Sequence, residues 1–307
     1  INNGKLKFSD QASTFGVQEP FVSFPVGSFD YNNDGFEDIF VSGYSTSNNT
    51  LSFENAYEFL GNKPQAALPK LFRNNGNGSF TDVTEEIGMN KSIYGMGFNY
   101  GDLDNDGFLD IYLGTGDPNF ESIIPNRMFR NVGGKYFEEV SLSGGFANIQ
   151  KGHGISWGDI DNDGDEDIYL TMGGAHEGDI YQNQLLINPG NENSWININL
   201  EGETSNNAAI GAKIYIVTSN DQNIYRTISS GASFGANNYS EHIGLDNADK
   251  ISSLEITWPK DGQKTTFQNL DVNQYIKVSE GKNEYSIIER KPLKLTGEGH
   301  SMHTTDE

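Results

Sequence analysis

The feature that most constrains the fold is a repeated acidic segment. Three stretches share the pattern Asp-x-Asx-Asn-Asp-Gly followed by a short apolar run, and they occupy residues 29–41, 101–113 and 158–170. The second and third lie 57 residues apart, and the block Leu71–Asn74 recurs 57 residues later as Met128–Asn131. Two landmarks with one offset indicate internal duplication, so a repeat architecture is the first expectation.

Each repeat is β in character. The runs after the loops are β-branched or aromatic and short, as in Ile111–Leu113, and glycine is abundant at 36 residues. This pattern favours four-stranded propeller blades, and three blades are too few to close a propeller. The first copy is longer by an insertion between Val41 and Leu71, which we expect to be a surface loop.

The sequence after the repeats alternates apolar and polar residues, as in Trp195–Leu200, which predicts a small antiparallel β domain. We therefore predict an all-β chain with a partial or incomplete propeller over residues 1–190, a β domain over 191–288 and a polar tail or linker over 289–307. The chain opens partway through a repeat. Either a half-repeat completes a blade begun elsewhere, or the chain is a fragment of a longer protein, which is the interpretation we favour.

The amino-acid composition excludes or disfavours several classes of partner and of chemistry. The chain has 43 acidic and 20 basic residues, for a net charge of −23, which disfavours binding to nucleic acid or to an anionic membrane surface. It has no cysteine, so thiol catalysis and cysteine-ligated metals are excluded. No apolar run is long enough for a membrane span.

The acidic loops predict calcium sites. Oxygen side chains fall at loop positions 1, 3, 5 and 9, glycine is at position 6, and position 7 can offer its backbone carbonyl. An EF-hand is excluded, because position 12 is Val41, Leu113 or Leu170 rather than glutamate. The alternative is a solvated turn, which three copies with the same spacing disfavour. The predicted ligands of about three Ca²⁺ ions are Asp30, Asn32, Asp34, Phe36 and Asp38; Asp102, Asp104, Asp106, Phe108 and Asp110; and Asp159, Asp161, Asp163, Asp165 and Asp167.

Segments Gly95–Leu113 and Gly152–Leu170 resemble the FG-GAP/VCBS repeats of the cartilage acidic protein family and its bacterial relatives, and more distantly the integrin α-subunit propeller. Trp195–Gly202, Ala209–Ile214 and Leu254–Gly262 resemble the ASPIC/UnbV domain that accompanies such repeats. The resemblance implies a secreted or surface-displayed, calcium-stabilised β-propeller with an adhesive or ligand-binding role. The first copy departs from the signature at Ser23–Pro25 and at Asn32, which implies weaker metal affinity there.

Candidate catalytic features are weak. Gly231–Gly235 matches a nucleophile elbow, but the following residues make a poor helix start, so a structural turn is favoured. His153 is a candidate surface residue and His242 a candidate core residue. The remaining histidines and the tryptophans give no distinctive site; they are His176, His300 and His303, and Trp157, Trp195 and Trp258, of which Trp157 matches a core position.

We therefore expect a calcium-binding extracellular or cell-surface module without catalytic residues, in which calcium is mainly structural. Its partner would be a protein or glycan recognised by loops such as 42–70, 115–127 and 171–183. Two alternatives remain open: an enzyme that acts on polysaccharides or secondary metabolites from the same scaffold, and a structural component of a larger surface assembly. A solvent-open pocket with a carboxylate outside the loops would favour the enzyme.

Overall fold

A computed structural model describes residue 4 and residues 6–45, 49–120, 123–174 and 176–295. His300, His303 and the end of the predicted tail therefore lie outside the described residues, as do parts of the three predicted recognition loops. Within the described part, no helix is long and apolar enough to cross a bilayer; the longer of the two has nine residues.

The first two repeats each form a four-stranded antiparallel blade, with strands paired in chain order. The third repeat forms three strands in the described part of the chain, because after its third strand the chain enters the C-terminal domain. The strands of the first blade are β1 Ser23–Phe29, β2 Asp38–Gly43, β3 Lys70–Asn74 and β4 Phe80–Asp82; those of the second are β5 Gly95–Gly101, β6 Asp110–Thr115, β7 Arg127–Val132 and β8 Tyr136–Glu139; those of the third are β9 Gly152–Gly158, β10 Asp167–Met172 and β11 Gln184–Leu186.

The first strands of the blades lie side by side, with β5 packed between β1 and β9. Large apolar side chains fill the space between the blades, including Phe40, Phe98 and Ile111, none of which is exposed. The expected fold class is confirmed: the chain is nearly all β, and its blades are propeller-like but do not close a ring within the described residues.

The C-terminal domain is a sandwich of two four-stranded sheets, ordered β15-β12-β18-β19 and β14-β13-β16-β17. Its core is rich in isoleucine and includes Trp258, which is fully buried. One pair, β12 with β18, is parallel, a detail that alternation along single strands does not reveal. The strands are β12 Trp195–Glu201, β13 Lys213–Thr218, β14 Asn223–Thr227, β15 Glu241–Gly244, β16 Lys250–Thr257, β17 Lys264–Asp271, β18 Gln274–Ser279 and β19 Tyr285–Ile287.

The insertion in the first repeat contains a helix, α2 Leu51–Phe59, in addition to loop; a shorter helix, α1 Ala12–Phe15, precedes β1. Thr50 caps α2 by accepting a hydrogen bond from the backbone N–H of Phe53. Glu54 is buried and accepts a hydrogen bond from the backbone N–H of Gln65, so α2 is anchored to the rest of the insertion by a polar contact. The expectation of a plain surface loop missed this helix, because its buried face includes a charged residue.

Candidate metal centre

Each acidic loop closes the hairpin between the first two strands of its blade, since Phe29 pairs with Asp38, Gly101 with Asp110 and Gly158 with Asp167. Position 1 curls the loop by accepting a hydrogen bond from the backbone N–H of the position-6 glycine. The three N···O distances are 2.7 Å for Gly35 to Asp30, 3.0 Å for Gly107 to Asp102 and 3.1 Å for Gly164 to Asp159.

The backbone angles explain why glycine occupies position 6. Gly35, Gly107 and Gly164 have φ values of 87°, 87° and 97°, a region that side chains with a Cβ disfavour. A hydrogen bond from the position-7 N–H to the position-5 carboxylate follows in all three loops. The local fold of the loop is therefore dictated by its own sequence pattern.

The aspartate at position 9 ties the loop to the third strand of its blade. In the second loop, Asp110 accepts hydrogen bonds from the backbone N–H groups of Leu103 at 2.7 Å and Asn131 at 2.6 Å. The equivalent contacts recur in the other loops, where Asn74 and Asn188 donate to the position-9 carboxylate. Asn74, Asn131 and Asn188 follow one another at intervals of 57 residues, so this contact is a feature of the repeat.

Position 3 is different, because one of its side-chain oxygens, Oδ1, has no hydrogen-bond partner among the described residues. Asn32 Oδ1, Asp104 Oδ1 and Asp161 Oδ1 are all buried and unpaired in the described part of the chain. In the second loop Asp102 Oδ1 is also buried and unpaired. A buried polar atom without a partner is destabilising, so the Oδ1 atom at position 3 of each loop is suited to contact a cation.

The carboxylates converge closely enough to share one cation. Oxygens of Asp102, Asp104 and Asp106 lie within 4.8 Å of one another, and so do oxygens of Asp159, Asp161 and Asp167. The first loop has no such triple among its described carboxylates, because Asn32 replaces an aspartate there. The donors are hard oxygens, which suits a hard divalent cation such as Ca²⁺.

Burial without a counter-charge changes the protonation of these groups. Desolvation by burial raises the pKa of Asp30 to about 6 and the pKa values of Asp38 and Asp102 to about 7. For Asp106 desolvation and then the neighbouring charges of Asp102 and Asp104 raise the pKa to about 8. Desolvation also raises the pKa of Asp110 well above its usual range. A bound divalent cation would hold these carboxylates ionised at neutral pH.

Asp165 has a second role that the sequence did not reveal. Its carboxylate oxygen Oδ1 accepts hydrogen bonds from Asn105 Nδ2 at 3.0 Å and from Asn191 Nδ2 at 2.9 Å. The side chain therefore braces the second loop against the third. The sequence-based prediction of a position-7 ligand concerns the backbone carbonyl of Asp165 and not this side chain.

Sequence reasoning also missed the asparagine at position 4, although its recurrence in all three copies was the signal. Asn33 Nδ2 donates to the carbonyl of Gly107 in the next loop at 2.7 Å, and Asn105 Nδ2 donates to the carbonyl of Gly164 at 3.0 Å. In the third loop Asn162 Nδ2 donates to the carbonyl of Lys291 at 3.3 Å. Position 4 therefore links each loop to its neighbour in space.

Residues of the C-terminal domain donate hydrogen bonds to the side-chain oxygens of two of these asparagines. Asn33 Oδ1 accepts from Arg226 Nη1 at 3.1 Å, and Asn105 Oδ1 accepts from His242 Nε2 at 2.8 Å. Gln222 Nε2 also donates to the carbonyl of Asp106 at 2.7 Å. The loops therefore form part of the interface between the blades and the sandwich.

The segment that follows β19 lies against the third loop. The backbone N–H of Leu293 donates to the carbonyl of Asp161 at 2.6 Å, and the Arg290 guanidinium lies 4.7 Å from the centre of the Tyr275 ring. Tyr275 in turn donates its hydroxyl proton to Asp159. The beginning of the predicted polar tail is therefore in contact with a loop.

The candidate catalytic groups have structural roles. Ser233 forms an isolated bridge with Phe98, in which each backbone N–H donates to the other residue's carbonyl, and no described helix follows it. His242 is buried, as expected, and His153 is half-buried with Nε2 2.6 Å from the carbonyl oxygen of Gly173. Trp157 and Trp258 are core residues, and Trp195 stacks on His242.

Fold and site together define a class: a repeat β protein with propeller-like blades, acidic hairpin loops and a C-terminal sandwich that packs on the loops. A family model described as an FG-GAP-like repeat matches residues 30–113, and one described as ASPIC and UnbV matches residues 202–285. The chain therefore matches both an FG-GAP-like repeat and an ASPIC and UnbV domain, and it shows homology to cartilage acidic protein 1.

Two relatives support this assignment. Cartilage acidic protein 1 of Homo sapiens is 25% identical over 317 residues, which cover 98% of this chain and 43% of the human protein. Cartilage acidic protein 1 of Xenopus tropicalis is 26% identical over 183 residues, which cover 57% of this chain and 26% of the frog protein. The chain thus spans less than half the length of the curated relatives it matches.

Proposed function

We propose that the chain is a calcium-binding interaction module, in which each acidic loop holds one Ca²⁺ ion. The unpaired position-3 oxygen in all three loops is the observation that carries this proposal, because an oxygen-seeking cation at the loop centre is the group that satisfies it. The side chains at positions 1, 3, 5 and 9 and the carbonyl at position 7 would hold the ion.

Calcium is preferred to magnesium on the chemistry of the donor set. Magnesium requires near-ideal octahedral geometry and keeps several waters, whereas calcium accepts six to eight oxygens in irregular arrangements. The loops offer up to five protein oxygens each, and positions 1 and 9 are held by backbone N–H groups before any ion binds. The bound ion would supply positive charge that offsets the converging carboxylates.

The role that follows is recognition at a cell surface or outside the cell, with calcium as a structural ion. Three observations support it: the repeat and domain types, the relatives named cartilage acidic protein 1, and the use of the loops as an interface within the molecule. A protein or glycan is the proposed partner. The segments 42–70, 115–127 and 171–183 are the proposed recognition elements.

Isothermal titration of the metal-free protein with Ca²⁺ tests the metal sites. We expect about three ions per chain, and the single variants Asp104→Asn and Asp161→Asn should each weaken one site by about tenfold or more, because each removes one charged ligand. Asp249→Asn is the matched control, since Asp249 is exposed and outside the loops. Absence of calcium binding, or equal effects of all three variants, would contradict the proposal.

A second candidate, an enzyme on the same scaffold, is favoured by one observation. A cavity between the blades and the sandwich contains the carboxylate of Glu241, which lies outside the acidic loops. Release of reducing ends from neutral polysaccharides tests this candidate, and Glu241→Gln should abolish the release if Glu241 acts as an acid. No release by the native protein would remove the candidate.

A further inference from the structure

A cavity of about 260 Å³ lies between the blades and the C-terminal sandwich. Its blade wall includes Phe29, Tyr100 and Leu109, and its sandwich wall includes Ile214 and the hydroxyl-bearing Thr257. The volume is close to the lower end of the range for small-molecule sites, which begins at roughly 300 Å³. The cavity is therefore large enough for one small ligand unit as well as for water.

Glu241 is the polar centre of this cavity. Its side chain is four-fifths buried, and the closest cation is Arg226, whose Nε lies 3.7 Å from Glu241 Oε1. No hydrogen bond from a described residue reaches the Glu241 carboxylate, and Arg226 Nε is itself buried without a partner. The two groups are paired by charge, but neither Arg226 Nε nor the Glu241 carboxylate has a hydrogen-bond partner among the described residues, so both are open to a ligand.

A smaller cavity of about 40 Å³ adjoins the first and shares the side chains of Tyr100, Leu109 and Glu241. Two more buried atoms without partners belong to residues that line it, Trp157 Nε1 and His242 Nδ1. Trp157 Nε1 is a donor. His242 Nδ1 is an acceptor, because Asn105 commits its amide protons to other groups and so receives the proton of His242 Nε2.

The charges around the larger cavity nearly cancel. Two of its four acids are already engaged, since Glu255 pairs with Lys264 at 2.7 Å and Asp30 belongs to the first acidic loop. The remaining lining charges are two acids, Glu37 and Glu241, and two bases, Lys213 and Arg226, of which Arg226 is shared between Glu241 and the buried Asp102. A ligand with a net charge would gain little from such a lining, whereas a neutral ligand with both donors and acceptors would match it.

We propose that this interdomain cavity binds an uncharged polyhydroxyl ligand, specifically a single neutral saccharide unit, with Glu241 as its main acceptor and Arg226 Nε as its main donor. Hydroxyl groups both donate and accept, which the paired groups require. The carbon faces of a sugar ring would pack on the apolar side chains of Phe29, Leu109 and Ile214. The inference deepens the proposed recognition role and does not require calcium.

Saturation-transfer NMR on the calcium-loaded full chain tests the site. The probes are the methyl glycosides of glucose, galactose and mannose, together with N-acetylglucosamine, and the charged comparators are glucosamine and glucuronic acid. We expect at least one neutral probe to bind saturably below about 10 mM and more tightly than both charged comparators. Glu241→Gln should weaken it by about tenfold, because a charge-assisted hydrogen bond is lost.

A control variant and a second cavity variant distinguish loss of the saccharide site from loss of folding. Glu284→Gln changes an exposed glutamate outside the cavity and should leave saccharide binding unchanged. If Glu241→Gln does not fold, judged by its melting curve, then Thr257→Val is the deciding variant and should weaken binding as well. Calcium binding is measured on the same samples, so that the two proposals are tested separately.

Different results would contradict the saccharide site and the metal sites. Binding of no neutral probe, binding that both cavity variants leave intact, or tighter binding of a charged comparator would each overturn the saccharide site. A protein that binds calcium but none of the neutral probes overturns this inference alone. A protein that binds a neutral probe through Glu241 without binding calcium supports this inference and overturns only the metal sites.

Discussion

The backbone N–H of Gly244 donates a hydrogen bond to Asp102 Oδ2 across the domain interface, with an N···O distance of 3.0 Å. The same oxygen accepts from Gly107 within the second loop and lies 3.6 Å from Arg226 Nη2. Asp102 is completely buried, so position 1 of this loop is held by the blade and by the sandwich together. Asp102 thus belongs both to the domain interface and to the proposed metal site.

Removal of the interface arginine should destabilise the protein strongly. Arg226→Met takes away the cation nearest to the buried Asp102 and breaks hydrogen bonds to the carbonyl of Gly107 and to Asn33. We expect the free energy of unfolding to fall by about 3–5 kcal/mol, because a buried carboxylate is left without its counter-charge. Lys213→Met, which changes an exposed base, should change it by less than about 0.5 kcal/mol in the same denaturant titration.

Calcium should protect the interface amide from hydrogen exchange. Removal of the ion leaves the buried Asp102 Oδ1 without a partner, which weakens this interface, so the N–H of Gly244 should exchange about tenfold faster in the chelated protein. The amides in the centre of β16, which is paired with β13 on one side and β17 on the other, should keep their rates. Equal acceleration at Gly244 and in β16 would indicate global unfolding instead. No acceleration at Gly244 would show that calcium binding does not stabilise the interface.

A charge added to the first loop should strengthen its site. Asn32→Asp restores the carboxylate that the other two loops carry at position 3, so calcium affinity of this loop should rise by about tenfold. Asn283→Asp adds the same charge at an exposed position far from the loops and serves as the control. If both variants raise the calcium affinity equally, the effect comes from the added negative charge and not from ligation of the ion by residue 32.

The carboxylate of Glu241 should make stability depend on pH. Burial raises its pKa from 4.5 to about 7, an effect that the nearby Arg226 opposes and Glu37 reinforces. Below pH 4.5 the group is protonated in both states. Between about pH 4.5 and 7 the unfolded state loses its proton first, so this group's contribution to stability falls as pH rises and stays low above pH 7.

Glu241→Gln should lack this fall, so the variant should be more stable than the native protein above pH 7 by roughly 2–3 kcal/mol and nearly equal at pH 4.5. Urea titrations of both proteins across this range measure the difference directly. Glu284→Gln supplies the reference for an exposed glutamate. A difference that grows toward low pH would show that the carboxylate is stabilised in its ionised form.

The amino-acid sequence was informative where one local pattern repeats. The turn at Gly107, the hairpin it closes and the positions of Asp102 and Asp110 follow from the loop sequence alone, because each contact spans only a few residues. The blades were predictable for the same reason, since the run Ile111–Leu113 recurs at a fixed offset. The family resemblance was confirmed by both family models; the ligand set and the domain boundaries at residues 190 and 288 stay predictions.

Long-range contacts were not predictable. The bond from Asn33 to Gly107 joins residues 74 apart, and the bond from His242 to Asn105 joins residues 137 apart. A spacing argument identifies ligands within a loop but does not show which loop packs on which domain. The parallel pairing of β12 with β18 was not predictable either, because the alternation along one strand does not show in which direction its partner runs.

Thermal unfolding by calorimetry, with calcium and then with chelator, tests the central claim most directly. Each occupied site should add about 2.7 kcal/mol at a hundredfold excess of calcium over its Kd, so the melting temperature should rise by about 5 °C or more. The double variant Asp104→Asn, Asp161→Asn should lose most of that rise. A native protein whose melting temperature is the same with calcium and with chelator would contradict the account.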